Sequence, residues 1–267
     1  MSGHRWRDTG RAALGAALDL LLPPVCVSCD QLVSDPTEAL VCRVCWSRLP
    51  VLPAPRCERC GHPVDEYDCR WCGLLPPYVR AARSVCWAKP GTALAIVHAL
   101  KYGGWTRVAD GMGTRMARLA FPDDVRRERS ALVPVPLART RERERGYNQS
   151  GLLAHAIAAK WKIPVWDGAV VRQRATESQT RLTPEQRRRN VSSAFTVAPR
   201  LGPRLRGAHV VLVDDVVTTA ATLNACASAL FDGGARIISY VTFGRAPSIG
   251  DRIETTGDLL DGNSRRH

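Results

Sequence analysis

Apolar residues along this chain follow two rhythms. Short apolar stretches rich in β-branched residues, at 210–213 and within 235–243 (Ile237, Ile238, Tyr240 and Val241), are too short for helices. They read as strands buried on both faces of a parallel sheet. A further strand is expected at 83–88, and 131–136 must be extended because each proline in Val133-Pro134-Val135-Pro136 biases its predecessor away from helix. Between these lie stretches with helical spacing: Thr92–Tyr102, 107–121, Gln149–Trp161 with Leu152, Leu153, Ala156 and Ile157 on one face, and 220–231. Gly103-Gly104 and Gly233-Gly234 mark stops. Residues 122–130 and 137–148 are expected to be charged loops, and 248–267 a polar, aperiodic and disordered tail. Alternating strands and helices predict an α/β domain built on a parallel sheet flanked by helices.

The N-terminal third has a different character. Eight of the ten cysteines form four C-x-x-C pairs: Cys26/Cys29, Cys42/Cys45, Cys57/Cys60 and Cys69/Cys72. Each pair can place two thiolates on one tight turn, and two such turns complete a closed tetrahedral zinc site. Spacers of twelve residues between the first two pairs and eight between the last two allow sequential pairing into two ribbons; interleaved pairing stays open. Gly61 and Gly73 follow cysteines and supply the flexible backbone a knuckle needs. A disulfide framework would need an oxidising compartment. Residues 5–22 look superficially like an export signal, but Asp19 interrupts the apolar run and Pro23-Pro24 with a metal-type pair follow directly. They are read as an amphipathic helix of a cytosolic chain, with peripheral contact to the inner membrane face as a secondary expectation. Cys86 and Cys226 sit in apolar patterns and are expected in the core.

Hydrophobic content of 45% and charged content of 24% are ordinary for a folded chain of 267 residues, but a net charge of +13 is not. Most of the excess is arginine, which favours phosphates and carboxylates and fits polyphosphate metabolites or nucleic acid.

The densest chemistry lies in Val211-Leu-Val-Asp-Asp-Val-Val-Thr-Thr-Ala-Ala-Thr222. Asp214 and Asp215 are expected where the strand ends, followed by a hydroxyl loop and a helix start. Ligands in open α/β sheets sit beyond the carboxyl ends of strands. Amide groups at a helix start, here Ala220, Ala221 and Thr222 with the hydroxyls of Thr218 and Thr219, favour a phosphate. The acidic pair would repel phosphate but accepts hydrogen bonds from a sugar diol. One ligand with a 5′-phosphate and free ribose hydroxyls satisfies both halves. Arg139 and Arg145 are candidate clamps for a diphosphate, and Lys101 is weighed between a last-turn cation and a phosphate ligand.

This stretch resembles the phosphoribosyl-pyrophosphate (PRPP) signature of type I phosphoribosyltransferases, departing at Ala220, where glycine is commoner. Arg145-Gly-Tyr-Asn-Gln149 and the later positions Arg172, Arg174, Thr176, Gln179, Leu182, Arg187 and Asn190 are similar to the ComF family, competence-associated phosphoribosyltransferase-like proteins. The resemblance implies an amphipathic segment over 1–24, a double zinc ribbon over 25–75, a phosphoribosyltransferase-like domain over 80–247 and a tail over 248–267. It also implies two structural Zn2+ ions, Mg2+ bound with PRPP, catalytic Asp214 and Asp215, and a lid carrying Arg174, Thr176 and Gln179. Its association is with DNA uptake and natural transformation.

Two functions follow. One is phosphoribosyl transfer to a nucleophile that no residue pattern identifies. The other is PRPP sensing by a factor that binds single-stranded DNA or a competence helicase, with Trp46 and Trp71 as candidate stacking platforms, though packing of the ribbons is the favoured role for both.

Overall fold

The structure, a computed structural model, describes residues 24–33, 40–64, 69–172, 194–248 and 251. The expected helix over 1–24 (save its last residue), the lid positions Arg174, Thr176 and Gln179, and the tail apart from residues 248 and 251 lie outside the described residues.

Four parallel strands form the central sheet: β1 (Val79–Trp87), β2 (Arg129–Pro134), β5 (His209–Val217) and β6 (Ile237–Arg245), in spatial order β1-β6-β5-β2. A single parallel bridge from Leu132 to Val165 continues the sheet beyond β2. Connections therefore leave β2 toward one edge and β5 toward the other, which makes the carboxyl ends of these two neighbours the topological switch point.

Helices cover both faces. Helices α1 (Arg43–Ser47), α2 (Thr92–Tyr102), α3 (Val108–Ala117) and α6 (Gln149–Trp161) belong to one core, with Trp46, Ile96, Leu100, Met112, Leu153 and Ile157 buried with Val211, Val213 and Val241. Close approach of α3 to α6 depends on Gly113, where a Cβ would come within 2.4 Å of the Ala156 methyl. The opposite core holds α7 (Gly202–Leu205), α8 (Ala221–Asp232) and the small antiparallel pair β3 (Val170–Arg172) and β4 (Phe195–Val197) against Val210, Leu212 and Ile238. Cys86 and Cys226 are fully buried in these cores. Among the described residues no helix is long and apolar enough to cross a membrane.

Three expectations are corrected. Residues 122–130 are not a loop: helix α4 (Asp123–Glu128), with two acidic residues in its first turn, runs directly into β2. The arginine/glutamate segment forms helix α5 (Arg139–Arg145), closed by Gly146 at φ 81. Helix α5 buries nothing and α4 buries only Val125, so hydrophobic periodicity carries no signal for them. The third concerns β5, which does not stop before the acidic pair but continues to Val217, with Asp214 opposite Thr242 of β6.

The cysteine-rich region is built into this body. Its backbone caps the β1 edge, where Ala82 N–H donates to Arg59 O (2.8 Å) and Trp87 N–H to Pro50 O (2.8 Å). This protects the strand that would otherwise expose an unpaired edge. The first cysteine cluster adds Cys26, Cys45, Trp46 and Leu49 to one core, and the second adds Cys60, Trp71 and Leu75 to the other.

At the far end of β5, buried His209 meets Ser239 Oγ at 2.9 Å, and burial pulls its imidazole down to about 4. A neutral histidine in the fold that protonates near 6.5 when unfolded stabilises fully above that pH. That contribution is lost as pH falls toward 4, by about 2–3 kcal/mol in all. Chemical denaturation at pH 7.5 and pH 5 should therefore show a loss of stability on acidification that is distinctly smaller in His209→Gln.

Candidate functional site

The carboxyl end of β5 opens because its two neighbours behave differently. On the β6 side pairing continues to Val217 opposite Arg245, whereas on the β2 side the register ends at Pro134 opposite Val213, with Val135 N–H donating to Val213 O (3.0 Å). Pro134 and Pro136 cannot donate to a ladder, so the chain peels away and leaves a crevice beside Asp214 and Asp215. The acidic pair thus lies within a strand, at the point where one neighbour has departed.

Asp215 is 3% exposed and makes an ion pair of 2.5 Å with Lys101 Nζ. Gln149 Nε2 lies 3.5 Å from its other oxygen. Asp214 is less covered; Ser150 Oγ and the Asp215 amide donate to its Oδ1, both at 2.9 Å. Burial first, and the charge of Asp215 second, push the Asp214 carboxyl well above the usual carboxylate range. One acid is compensated by a cation and the other is not.

Beside them lies a hollow of about 500 Å³ lined by Lys101, Tyr102, Gly104, Arg141, Glu144, Arg145 and Tyr147. Lys101 belongs to both the hollow and the acidic pair, which joins them into one site. Beyond β5, Thr218 and Thr219 are exposed and Ala220 leads into α8. Ala220 has φ 59, so alanine occupies a left-handed position where glycine would be unstrained. The Asn224 amide already donates to Ala220 O (2.8 Å). The preceding amides of α8, at Ala221, Thr222 and Leu223, are the unpaired donors of a helix start.

Not every candidate converges. Arg139 is exposed at the start of α5 and does not line the hollow; Arg141 and Arg145 do. Thr218 and Thr219 stand outside its lining. Trp46 and Trp71 are buried, at 8% and 5% exposure, and pack the ribbons against the two cores.

Residues 149–258 match the phosphoribosyl transferase domain family, and residues 17–77 match the double zinc ribbon domain. DNA utilization protein YhgH of Escherichia coli K12 is 33% identical over 212 residues, covering 74% of this chain and 87% of that protein. Competence protein ComFC of Bacillus subtilis is 25% identical over 230 residues, or 79% and 90%. Competence protein F of Haemophilus influenzae reaches 39% over 94 residues, or 35% and 41%. The chain belongs to the ComF family.

The ComF element Arg145-Gly-Tyr-Asn-Gln149 is explained residue by residue. Arg145 faces the hollow and donates to Gln149 Oε1. Gly146 takes the left-handed turn that ends α5. The Tyr147 hydroxyl donates to Leu100 O in α2, beside Lys101. Asn148 caps α6, accepting from Ser150 N (3.0 Å), and donates to Val135 O (3.0 Å), pinning α6 to the end of β2. Gln149 and Ser150 then reach the two carboxylates. Sequence reasoning missed Arg141, Tyr147, Gln149 and Ser150 as site residues, because polar residues at a helix start carry no periodic signal.

Cysteine pairing is sequential: Cys26, Cys29, Cys42 and Cys45 form one cluster, and Cys57, Cys60, Cys69 and Cys72 the other. Within each, all ligand atoms lie within 4.8 Å of one another. Sulfur separations of 3.7 Å (Cys29–Cys42), 3.2 Å (Cys57–Cys72) and 3.3 Å (Cys60–Cys69) suit a tetrahedron with Zn–S bonds of about 2.3 Å. Backbone amides of Cys42 and Cys45 point at Cys26 and Cys42 sulfurs (3.3 and 3.4 Å), as thiolates require. The eight cysteines fit two structural zinc ions. The first knuckle of each cluster ends in a left-handed residue, Asp30 after Cys29 and Gly61 after Cys60. Gly73 takes no such conformation.

Proposed function

We propose that this protein binds PRPP at the β5–α8 junction and transfers its phosphoribosyl group. Carrying this reading is the acidic pair between two anion-binding features, the amide- and hydroxyl-rich start of α8 and the hollow lined by Lys101, Arg141 and Arg145. A 5′-phosphate takes the residues Thr218, Thr219, Ala220, Ala221 and Thr222, the ribose hydroxyls take Asp214 and Asp215, and the diphosphate takes the cationic hollow. Arg139 is retained as a peripheral clamp at the start of α5.

Binding begins with an ion exchange. Lys101 neutralises Asp215 in the free protein, and an arriving diphosphate draws its ammonium into the hollow, freeing the carboxylate for a sugar hydroxyl. The two cysteine clusters are the only groups of three or more potential metal ligands within reach of one ion among the described residues. Mg2+ is therefore expected to arrive as the PRPP complex, where it supplies charge neutralisation of the diphosphate. As the bond from the anomeric carbon to the diphosphate oxygen breaks, positive charge develops on the sugar beside Asp214 and Asp215, and negative charge on the leaving group beside Arg141 and Arg145. Arg174, Thr176 and Gln179 are assigned to a lid that excludes water at this stage.

Incubating the protein with Mg2+–PRPP and each common nucleobase tests transfer. Base-dependent loss of PRPP with stoichiometric diphosphate release is expected; PRPP stable with every base would remove the transferase reading. A second reading, nucleic-acid binding, rests on Tyr102 and Trp105, which are 74% and 49% exposed around the cationic hollow and suit stacking of unpaired bases. Such binding would weaken steeply with salt.

A further inference from the structure

The second zinc ribbon touches both elements that hold the Thr218–Ala220 loop. On one side, Asn224 in the first turns of α8 donates from Nδ2 to Leu74 O at 2.7 Å, two residues after the zinc ligand Cys72. Its Oδ1 accepts from the Tyr240 hydroxyl at 3.0 Å, so the side chain is held at both ends. Its own amide closes the first turn onto Ala220 O. On the other side, Arg245 at the end of β6 is fully buried and donates from Nη2 to the carbonyl of the zinc ligand Cys60 at 2.6 Å. The guanidinium lies 4.0 Å over the Trp71 ring and 3.4 Å from His62 Nδ1. Arg245 is the register partner of Val217, and Ala246 N–H donates to Val217 O (2.8 Å), directly before Thr218.

A buried guanidinium is costly unless its charge is compensated. The Cys60 carbonyl and the Trp71 ring face, with the tetrathiolate cluster beside them, provide that compensation. The first ribbon is attached differently. Its Trp46 packs edge-on to Phe243 at 6.3 Å and against Gly111 of α3, where a Cβ would come within 2.6 Å of the indole. Those contacts serve the opposite core.

We propose that the second ribbon, through Asn224 and Arg245, is the positioning element of the phosphate loop, so that an intact Cys57/Cys60/Cys69/Cys72 centre sets the loop's order and its affinity for a sugar phosphate, while the first centre does not. Asn224 and Arg245 are positioning residues, not ligands of the substrate. The affinity half of this proposal rests on the PRPP reading above; the loop-order half does not. Loss of the second centre releases the Leu74 and Cys60 carbonyls from their donors and leaves the start of α8 free to fray.

Hydrogen exchange on the full chain reads the loop without any ligand, and PRPP titration reads the affinity. Asn224→Ala is expected to speed exchange of the 219–223 amides by about tenfold while zinc stays at two ions per chain. Cys69→Ser should do the same with one zinc lost, and Cys29→Ser should leave the loop within about twofold of wild type. PRPP affinity should fall about five- to tenfold in Asn224→Ala. Unchanged loop exchange in Asn224→Ala, or equal loosening by Cys29→Ser and Cys69→Ser, would overturn the proposal. Absence of PRPP binding by the wild type would instead sink the functional reading, with exchange still deciding this one. If Cys69→Ser fails to fold, Asn224→Ala, which keeps both metal centres, decides alone.

Discussion

Replacing either acid of the Asp214/Asp215 pair should abolish tight PRPP binding while moving thermal stability in opposite directions. Asp214 is a carboxyl whose ionisation is opposed by burial and by its neighbour's charge. A folded-state pKa raised above the unfolded value means that stability is lost as pH rises through the interval between the two. Asp214→Asn removes that penalty and keeps an acceptor for Ser150. A gain in melting temperature of about 3–6 °C at its largest, growing as pH rises above the ordinary carboxylate range, is the expected result. Asp215→Asn instead strips Lys101 of its partner at 2.5 Å. Lys101 retains 23% of its side-chain exposure, so the cost is discounted for solvent to about 1–2 kcal/mol of lost stability. On the proposed reading both variants should lose roughly 100-fold in PRPP affinity, because each removes a carboxylate that would accept from a ribose hydroxyl. Calorimetric melting across pH with parallel ligand titration makes the comparison. Two destabilised variants would show that the pair is a structural feature rather than strain retained for binding.

Zinc removal is the second large effect, and it should reach the whole molecule. The ribbons cap the β1 edge with backbone bonds at Ala82 and Trp87, and their ligands Cys26, Cys45 and Cys60 are buried in the two cores. Stripping the metal leaves clustered thiolates without a counter-charge and uncovers a sheet edge. A strong chelator should therefore lower the melting temperature of the entire chain by about 15 °C or more and promote aggregation. Followed by tryptophan fluorescence and by circular dichroism of the α/β body, both signals should collapse together. An α/β transition left in place after metal loss would show the ribbons to be an independent appendage.

How much of this was legible beforehand depended on which physical signal each part carries. Parallel strands announce themselves through runs such as 210–213, because burial on both faces excludes polar residues. Thr92–Tyr102 and Gln149–Trp161 were readable to the residue through their apolar faces and glycine or asparagine boundaries. C-x-x-C spacing exposed all eight zinc ligands, but sequential pairing needed the fold, since interleaving satisfies the same spacing. Helices α4 and α5 were missed because they bury almost nothing. The acidic pair was legible as chemistry and misplaced as structure. Only the register against β2 shows that the strand continues past it while its neighbour leaves. Lys101 illustrates the remaining gap: a last-turn cation and a phosphate ligand were both readable, yet its bond to Asp215 joins residues 114 positions apart, which no local pattern encodes.

The most direct measurement is isothermal titration of PRPP, with and without Mg2+, into the wild-type chain, Asp215→Asn and Lys101→Met. Saturable one-to-one binding by the wild type that strengthens with Mg2+, falls roughly 100-fold in Asp215→Asn and weakens about tenfold in Lys101→Met is the expected result. No binding by the wild type, or equal affinity in all three proteins, would contradict the assignment of this crevice to a ribose phosphate.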